Sequence, residues 1–573
     1  MNPVSFFKHP KIAGQKQYEA LRAFYYENVP AQEVARRFGY TYSAFNSLRQ
    51  KFKAKKLNFT FTPPKGPKQA RVSTQDRNTI IEYRKKGLSV LEIEHVLELL
   101  GNPIGKSTID RILVQEGFPK LARRTQLKIG LTKDNTIVPD VASQLNLDQL
   151  DGWEGECAVG GIFLFLPLIE HYGLENIINK SKLEGTKKIT AFNYIMAMLA
   201  LKLVGKERLS QVNDLNFDQG FGLFAGLNVL PKSTALSTYS YRLTQKEIND
   251  FMYHFVVAQD KLKTYGSDTI NLDFHTIQHY GDESTLEKHW SGARNQCVKG
   301  VLTLIAQDGD SRCQLYVDSD IKRSEANDKI LEFVQFWKKI RGKFHHTLIF
   351  DSKLTSYANL AKLDEEGIKF ITLRRRGKKL VSDANAIPGD EWQSVYLNVP
   401  KRKYQRVQVY DSTISLKEYG DNLRQVIMKD NGREEPAFFI TNDFKTSSKD
   451  IVLKYTKRWN VENSIEEAVS FFNINSLSSS ILIKVHLDIL LTMISDTLYY
   501  HLAQSLRGFE SCDADKIFRH FINMPAKINV TNDEIHVNFP LRAHSPVLKS
   551  AGLDKWAKPI SWLGNRKIKF YWD

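Results

Sequence analysis

Cysteine is scarce in this sequence. The 573 residues contain 4, Cys157, Cys297, Cys313 and Cys512, and no two stand as Cys-x-x-Cys. That excludes a zinc knuckle and a disulfide framework, and it fits a reducing compartment. His275, His279, His345 and His346 also lack zinc-ligand spacing and read as structural or phosphate-facing. The opening Met-Asn-Pro-Val-Ser-Phe-Phe-Lys-His-Pro lacks the apolar core of a signal peptide. Long apolar runs are missing too. Ala158–Ile169 is too short to span a bilayer and is closed by Glu170-His171, while Ile489–Leu502 is interrupted by Asp496. Both are expected to be buried helices. The expectation is a cytoplasmic protein with no membrane partner.

Positive charge is in excess. There are 81 Lys and Arg against 64 Asp and Glu, a net charge of +17, although the 42% apolar and 25% charged fractions are ordinary for a globular protein. Residues 1–125 hold 23 Lys and Arg and 10 Asp and Glu, so +13 falls there and +4 on the remaining 448 residues. A basic end on a near-neutral body points to a polyanion. Apolar periodicity in that end argues against a mere solvated tail.

The length suggests two to four domains. Ala31–Phe38, the turn Gly39-Tyr40 and Thr41–Lys53 match a helix-turn-helix over residues 1–57, with Ser43, Asn46, Arg49 and Gln50 on its DNA-facing side; a plain helical hairpin is the alternative. Residues 58–71, with three prolines, form a basic linker. The pattern repeats over residues 72–120: Gln75–Lys86 is helical, Ser89 caps Val90–Leu100 and Ser107 caps Thr108–Glu116. Lys106, Ser107, Thr108 and Arg111 are its DNA-facing set. Residues 121–152 read as a polar linker, and 153–262 as a helical scaffold offering a dimer surface.

From residue 268 the period changes. Asp268–Thr276, Gln296–Ile305 and Arg312–Asp318 read as strands, followed by a helix at Glu325–Ile340, a strand at His346–Phe350, a helix at Tyr357–Glu366 and a strand at Lys369–Leu373. Three strands, helix, strand, helix, strand is the order of an RNase H-like fold. Strand-type runs interrupt it over 377–448, and helical patterning resumes at Lys449 and runs to about Phe472, within a second core part spanning 449–510. Residues 511–573 form a C-terminal region whose stretch 525–540 looks like a hairpin turning at Thr531–Asp533. The fold class is thus multidomain α+β, with tandem helix-turn-helix units, a helical scaffold and an RNase H-like core interrupted by a β insertion.

Three widely spaced acids carry the chemistry. Asp273 lies inside the apolar run Thr269-Ile-Asn-Leu-Asp-Phe-His-Thr276, Asp351 ends Thr347-Leu-Ile-Phe-Asp351, and Glu462 follows Tyr455-Thr-Lys-Arg458-Trp-Asn-Val. A carboxylate at the centre or end of an apolar strand is costly to bury unless paired or bound to a cation. Tyr455, Arg458 and Glu462 at i, i+3 and i+7 are expected on one helical face. An Arg458–Glu462 salt bridge is the plainer reading of that helix alone. Glu466, one turn on, is the rival third acid, whereas Asp268, Asp282, Asp318 and Asp320 read as solvated loop or strand-end residues. Trp392 and Trp459 are expected in the core. Arg374–Lys379 and Lys401–Arg406 supply basic runs able to follow a DNA backbone.

These residues resemble a known family, the DDE-type insertion-sequence transposases of the subclass with a β insertion before the glutamate. Tyr455, Arg458 and Glu462 match the signature Tyr-x2-Arg-x3-Glu-x6-Lys, with Val469 at the Lys position, and Asp273 and Thr276 match Asp-x2-Thr. The resemblance covers about residues 155–510. It implies a catalytic and metal-binding set of Asp273, Asp351 and Glu462, with Mg²⁺ or Mn²⁺. It also implies DNA-end contacts at Tyr455, Arg458 and Thr276, cleavage at element ends, and joining of 3′-OH ends to target DNA. The implied partners are double-stranded DNA, as terminal repeats and target, and a second copy in a synaptic homodimer. The implied setting is a bacterial or archaeal cytoplasm beside the nucleoid. Val469 leaves open a transposase-derived DNA-binding protein with lost or weak catalysis.

Overall fold

The computed structural model describes residues 12–57, 72–118 and 141–573, apart from 87, 216, 280–285, 292–295, 399–403, 433 and 477–480, together with residues 7, 10 and 59. Most of the 58–71 linker, the start of the 121–152 linker, Asp282 and the basic Lys401–Lys403 lie outside the described residues. The chain divides into two compact units, Met1–Thr136 and Ile137–Asp573.

Among its described residues the first unit contains two groups of three helices. Ala13–Tyr25, Ala31–Arg37 and Tyr42–Lys53 close over Ala20, Leu21, Val34, Phe45 and Leu48. Gly39 turns the chain at φ +63°, where a side chain would be strained, and Thr41 Oγ1 accepts from Ala44 N at 3.1 Å to cap the third helix. Thr74–Lys85, Val90–Leu99 and Lys106–Gln115 close over Ile80, Ile93, Leu97, Ile109 and Leu113. Ser89 and Glu92 form a capping box at the second of these. Ser107 is not a cap: Gly105 holds that position, and the Lys106 amide donates to Glu94 Oε1 at 2.7 Å.

Among its described residues the second unit is built on two sheets. Its strands are β1 (Trp153–Cys157), β2 (Thr269–Gln278), β3 (Lys288–Ser291), β4 (Gln296–Asp308), β5 (Gln314–Ile321), β6 (Thr347–Phe350), β7 (Phe370–Leu373), β8 (Gln393–Tyr396), β9 (Arg406–Leu416), β10 (Gly420–Lys429), β11 (Ala437–Thr441), β12 (Ala526–Val530), β13 (Glu534–Phe539) and β14 (Lys567–Trp572). In the large sheet β4 pairs antiparallel with β5 on one side and β2 on the other, and β6 and then β7 add in parallel on the far side of β2. β11 pairs antiparallel with β7, and β10, β9 and β8 continue outward, so the strands of the 377–448 interruption extend this sheet. The small sheet joins β1 to the C-terminal strands in the order β1-β12-β13-β14. Thr531 N donates to Glu534 O at 2.8 Å in the β12–β13 turn.

Helices pack around the large sheet. The long apolar segment near the C-terminus is one helix, Leu482–Ser505, with His486 and Asp496 buried along it. His486 Nδ1 bonds Ser319 Oγ at 2.8 Å and Asp496 accepts from Gln314 Nε2 at 2.9 Å, which fixes the helix to β5. No helix among the described residues is long and apolar enough to cross a membrane. The Ala158–Ile169 run splits into a 3₁₀ turn, Gly160–Phe165, and a helix, Leu166–Tyr172, with Pro167 in its first turn, where a missing N–H costs nothing. Residues 141–150 are not a loose linker: Gln144 bridges Leu227, Ser143 N donates to Asn228 Oδ1 at 2.8 Å, and Leu150 is buried.

Two departures bear on the site. The helix expected from Lys449 to Phe472 is two helices, Ser448–Thr456 and Trp459–Ser470, separated at Lys457-Arg458. Beyond the second helix, buried Lys202 donates to Phe472 O at 3.0 Å and to Asp488 Oδ2 at 2.8 Å, tying three segments together. Asp488→Ala would leave that ammonium buried and uncompensated. We expect it to lower unfolding free energy by about 3 kcal/mol in urea titration; a change under about 0.5 kcal/mol would show that the pair does not hold these helices.

Candidate active site

Strand register sets the first two acids. β2 and β6 are parallel and pair Leu272 with Phe350, so Asp273 and Asp351 each follow directly on that last pair, and both line one cleft. Asp273 keeps its place inside β2, opposite Ile305 of β4. Asp351 follows the last residue of β6, and its Oδ1 accepts from Ser352 N at 2.6 Å, which turns the chain away from the sheet.

The third acid arrives on the Trp459–Ser470 helix. Three hydrogen bonds dock its start across β2 and β4: Asn271 Nδ2 to Lys457 O at 2.9 Å, Asn460 Nδ2 to Gly309 O at 3.0 Å, and Gln307 Nε2 to Ser464 Oγ at 3.1 Å. Buried Val461 and Ser464 face the sheet. Glu462 then lines a cleft of 530 Å³ together with Asp273 and Asp351. Glu466, the rival, lines a separate polar recess with Arg312, Asn463, Asp513 and Asp515. Glu467, beside it, is buried and paired with Arg312 and the Ala514 amide.

Arg458, at the break between the two helices, joins the acids. Its Nη1 lies 2.9 Å from Asp273 Oδ2 and its Nη2 2.5 Å from Glu462 Oε1. Tyr455 sits on the preceding helix, not on the same helical face as Glu462, because the chain breaks between them. Its ring packs against Phe439, with centroids 5.1 Å apart, and Arg458 lies 5.6 Å from the ring centroid. Tyr455 Oη and Arg458 Nε are both buried without a hydrogen-bond partner among the described residues.

Burial decides the electrostatics. It pushes the Asp273 carboxyl up to about 6, against the pull of Arg458 and with the help of Glu462 and Asp351. Burial opposes charge on Arg458, but Tyr455, Asp273, Glu462 and Asp351 outweigh it and hold the guanidinium more firmly protonated than usual. Burial also raises the Tyr455 phenol, so that group stays neutral at any ordinary pH.

The cleft brings in residues that the spacing arguments passed over. Lys288, Arg323 and Lys353 supply cations, and His275 with Asn475 forms a wall in which the imidazole Nε2 and the amide Oδ1 are 2.9 Å apart. Trp290 is 48% exposed and lies 5.6 Å from Lys353 Nζ. Alternation along β3 could have flagged Trp290, since its side chain is on the open face of a short strand. Thr276 lines the cleft, but its hydroxyl donates to Trp290 O at 3.0 Å. Trp459 is 65% exposed rather than in the core, while Trp392 is buried with Lys429 Nζ 3.7 Å from its ring centroid. Asp318 is not solvated: it is buried in β5, 3.0 Å from Lys329 Nζ. Val469 packs against the main apolar cluster and is not part of the cleft lining.

The three carboxylates are hard oxygen donors of the kind Mg²⁺ and Mn²⁺ take. Their chemistry fits a divalent cation. Their present spacing is that of a site spanned by a guanidinium, and among the described residues no three His, Cys, Asp or Glu stand together as a cation site.

In the first unit, Ser43 and Gln50 are exposed, as are Lys106, Ser107 and Arg111, with Thr108 half-buried. Arg49 is turned inward: its guanidinium lies 3.8 Å from the Phe24 ring centroid and donates to Asn46 Oδ1 at 2.8 Å, so these two side chains engage each other. In the basic run after β7, Arg374 donates to Gln425 and Arg376 pairs with Glu435.

Residues 265–496, the segment carrying Asp273, Asp351 and Glu462, match the family described as Transposase DDE domain. Among solved structures the chain is similar to a piggyBac transposase synaptic complex with hairpin DNA, at 12% identity over 65% of this chain and 82% of that one, with a TM-score of 0.36. A Mos1 transposase paired-end complex with left transposon end matches at 11% identity over 62% of this chain and 76% of that one, with a TM-score of 0.14. No curated protein matches.

The raised Asp273 pKa has a signed consequence. Unfolding returns the group from about 6 to 3.8, so the folded chain binds the extra proton between those values. Its contribution to stability is therefore lost as pH rises through about 6. Asp273→Asn removes the buried charge and should raise unfolding free energy at pH 7.5 by on the order of 1–3 kcal/mol. A destabilised variant at that pH would mean that the attraction of Arg458 outweighs desolvation.

Proposed function

We propose that this protein is a DNA transposase whose core is an RNase H-like fold interrupted by a β insertion. The observation that carries the reading is the register of β2 against β6, with Asp273 and Asp351 each following directly on its last pair and Glu462 lining the same cleft. The antiparallel β5-β4-β2 path continued by parallel β6 and β7 supports the fold assignment. The matched domain supports the activity class.

In this reading Asp273, Asp351 and Glu462 hold Mg²⁺ or Mn²⁺. Such cations, when bound, stabilise charge on the attacking and leaving oxygens of a phosphodiester. Arg458 suits a phosphate because its planar donors form a fork, and Tyr455 closes the site behind it. Thr276 acts through the Trp290 carbonyl and shapes the wall. Lys288, Arg323 and Lys353 draw a polyanion toward the cleft. The two three-helix groups act as tandem helix-turn-helix units on terminal repeats, through Ser43, Lys106, Ser107, Thr108 and Arg111, with Asn46 and Arg49 supporting the first. Two element ends must be brought together, so the working form is a homodimer. The alternative of lost catalysis rests on Val469 alone, and that residue is outside the cleft.

DNA carrying the flanking terminal repeats, with Mg²⁺ or Mn²⁺, tests the reading. Wild type should release 3′-OH ends and join them to a target plasmid. Glu462→Gln should still bind those ends and lose joined products by at least a hundredfold, about 3 kcal/mol of transition-state stabilisation. Binding without cutting by wild type would contradict catalysis. Removal of residues 1–136 should abolish preference for the repeats in a gel-shift competition; undiminished preference would place recognition in the second unit.

A further inference from the structure

Arg458 occupies an unusual position for a group that is to grip DNA. Its two terminal nitrogens are spent on Asp273, at 2.9 Å, and Glu462, at 2.5 Å. We propose that Arg458 is a built-in counter-cation that keeps the cation-free site closed, and that a DNA phosphate opens it by drawing the guanidinium off the two acids. This inference rests on reading the site as metal-dependent.

Four observations carry it. First, the guanidinium bridges an acid on a strand to an acid on a helix, so it holds the two donors around itself. Arginine stays protonated in proteins, and its charge can leave the site only by movement. A divalent cation entering between the same oxygens would meet a positive charge at contact distance. Second, Arg458 lies at the junction between Ser448–Thr456 and Trp459–Ser470, outside the body of either helix. Third, Arg458 Nε and Tyr455 Oη are buried without hydrogen-bond partners among the described residues. A buried donor left unpaired is costly. A phosphate oxygen is an acceptor that suits both. Fourth, Lys288, Arg323 and Lys353 line the cleft that Asp273 and Glu462 also line, so a phosphate is attracted toward the two acids that Arg458 bridges.

The consequence is a linkage. Phosphate and divalent cation favour each other's binding, because each is better accommodated once Arg458 has turned from the acids. Linkage is reciprocal, so the cation should tighten DNA binding by the factor by which DNA tightens cation binding. The device would keep the cleft from assembling a competent centre away from DNA.

Mn²⁺ binding to the full chain, read by electron paramagnetic resonance, tests this without any turnover. The samples are wild type, Arg458→Gln, Arg458→Lys and Asp273→Asn, each with and without a short blunt DNA duplex. Wild type alone should bind Mn²⁺ weakly, and the duplex should tighten it by roughly tenfold or more, the usual size of coupling between two sites. Arg458→Gln alone should already bind that much more tightly than wild type and gain little from the duplex. Arg458→Lys, whose single ammonium cannot span both acids, should fall between and guards against a folding defect in the glutamine variant. Equal Mn²⁺ affinity in wild type and both Arg458 variants, with binding lost in Asp273→Asn, would overturn the counter-cation role and leave the metal site standing. Absence of any Asp273-dependent Mn²⁺ binding, with or without duplex, would overturn both.

Discussion

A carboxylate inside the central strand of a sheet is the constraint around which this structure is arranged. Asp273 sits in β2 opposite Ile305 of β4, where its charge is largely removed from water, and its pKa rises to about 6 as a result. Arg458 offsets most of that cost, and the Phe274 amide, which donates to Asp273 Oδ1 at 2.9 Å, offsets part of the rest. Arg458 must therefore reach the strand from the Lys457-Arg458 break, and the break is held there by Asn271, Gln307 and Asn460. The buried Lys202 tie beyond Phe472 fixes the other end of the same segment. Ordinary packing would not require such placement; a site that collects negative charge does.

The same arrangement links fold to chemistry. Parallel pairing of β2 and β6 brings two acids to one cleft without any loop having to find its place, and a helix laid across the sheet supplies the third. Sites on rigid elements hold geometry better than sites on loops. The extension of the sheet through β11, β10, β9 and β8 gives β7 a partner, so the strand beside β6 is not left as an open edge. The stability lost to the carboxylate cluster is spread over a large apolar core.

Much of this was legible in the sequence. The Asp273 and Asp351 strands announced themselves because a single acid stood in each otherwise apolar run, and the order of strands and helices through Leu373 follows from the change in period. The break at Lys457-Arg458 was not legible: no Gly or Pro marks it, and helical propensity runs straight through. It is set by tertiary bonds from Asn271 and Asn460, which no local pattern reveals. Arg49 read as a surface residue by helical phase, yet Phe24 from another helix captures it. Ser107 resembled a cap, but the Glu94 carboxylate from the preceding helix takes the amide of Lys106 and starts the helix earlier. Trp459 was expected inside because large aromatics usually are; its exposure follows from Arg458 and Val461 taking the inward directions.

The central claim is that Asp273, Asp351 and Glu462 converge on one divalent cation centre. Fe²⁺ substituted for Mg²⁺, with ascorbate and peroxide, cuts a polypeptide backbone close to where the iron is bound. In the presence of DNA the expected result is three cuts, beside Asp273, beside Asp351 and within Trp459–Ser470 near Glu462, all suppressed by excess Mg²⁺. Cuts confined to the recess of Glu466, Asp513 and Asp515, with none at β2 or β6, would contradict the account.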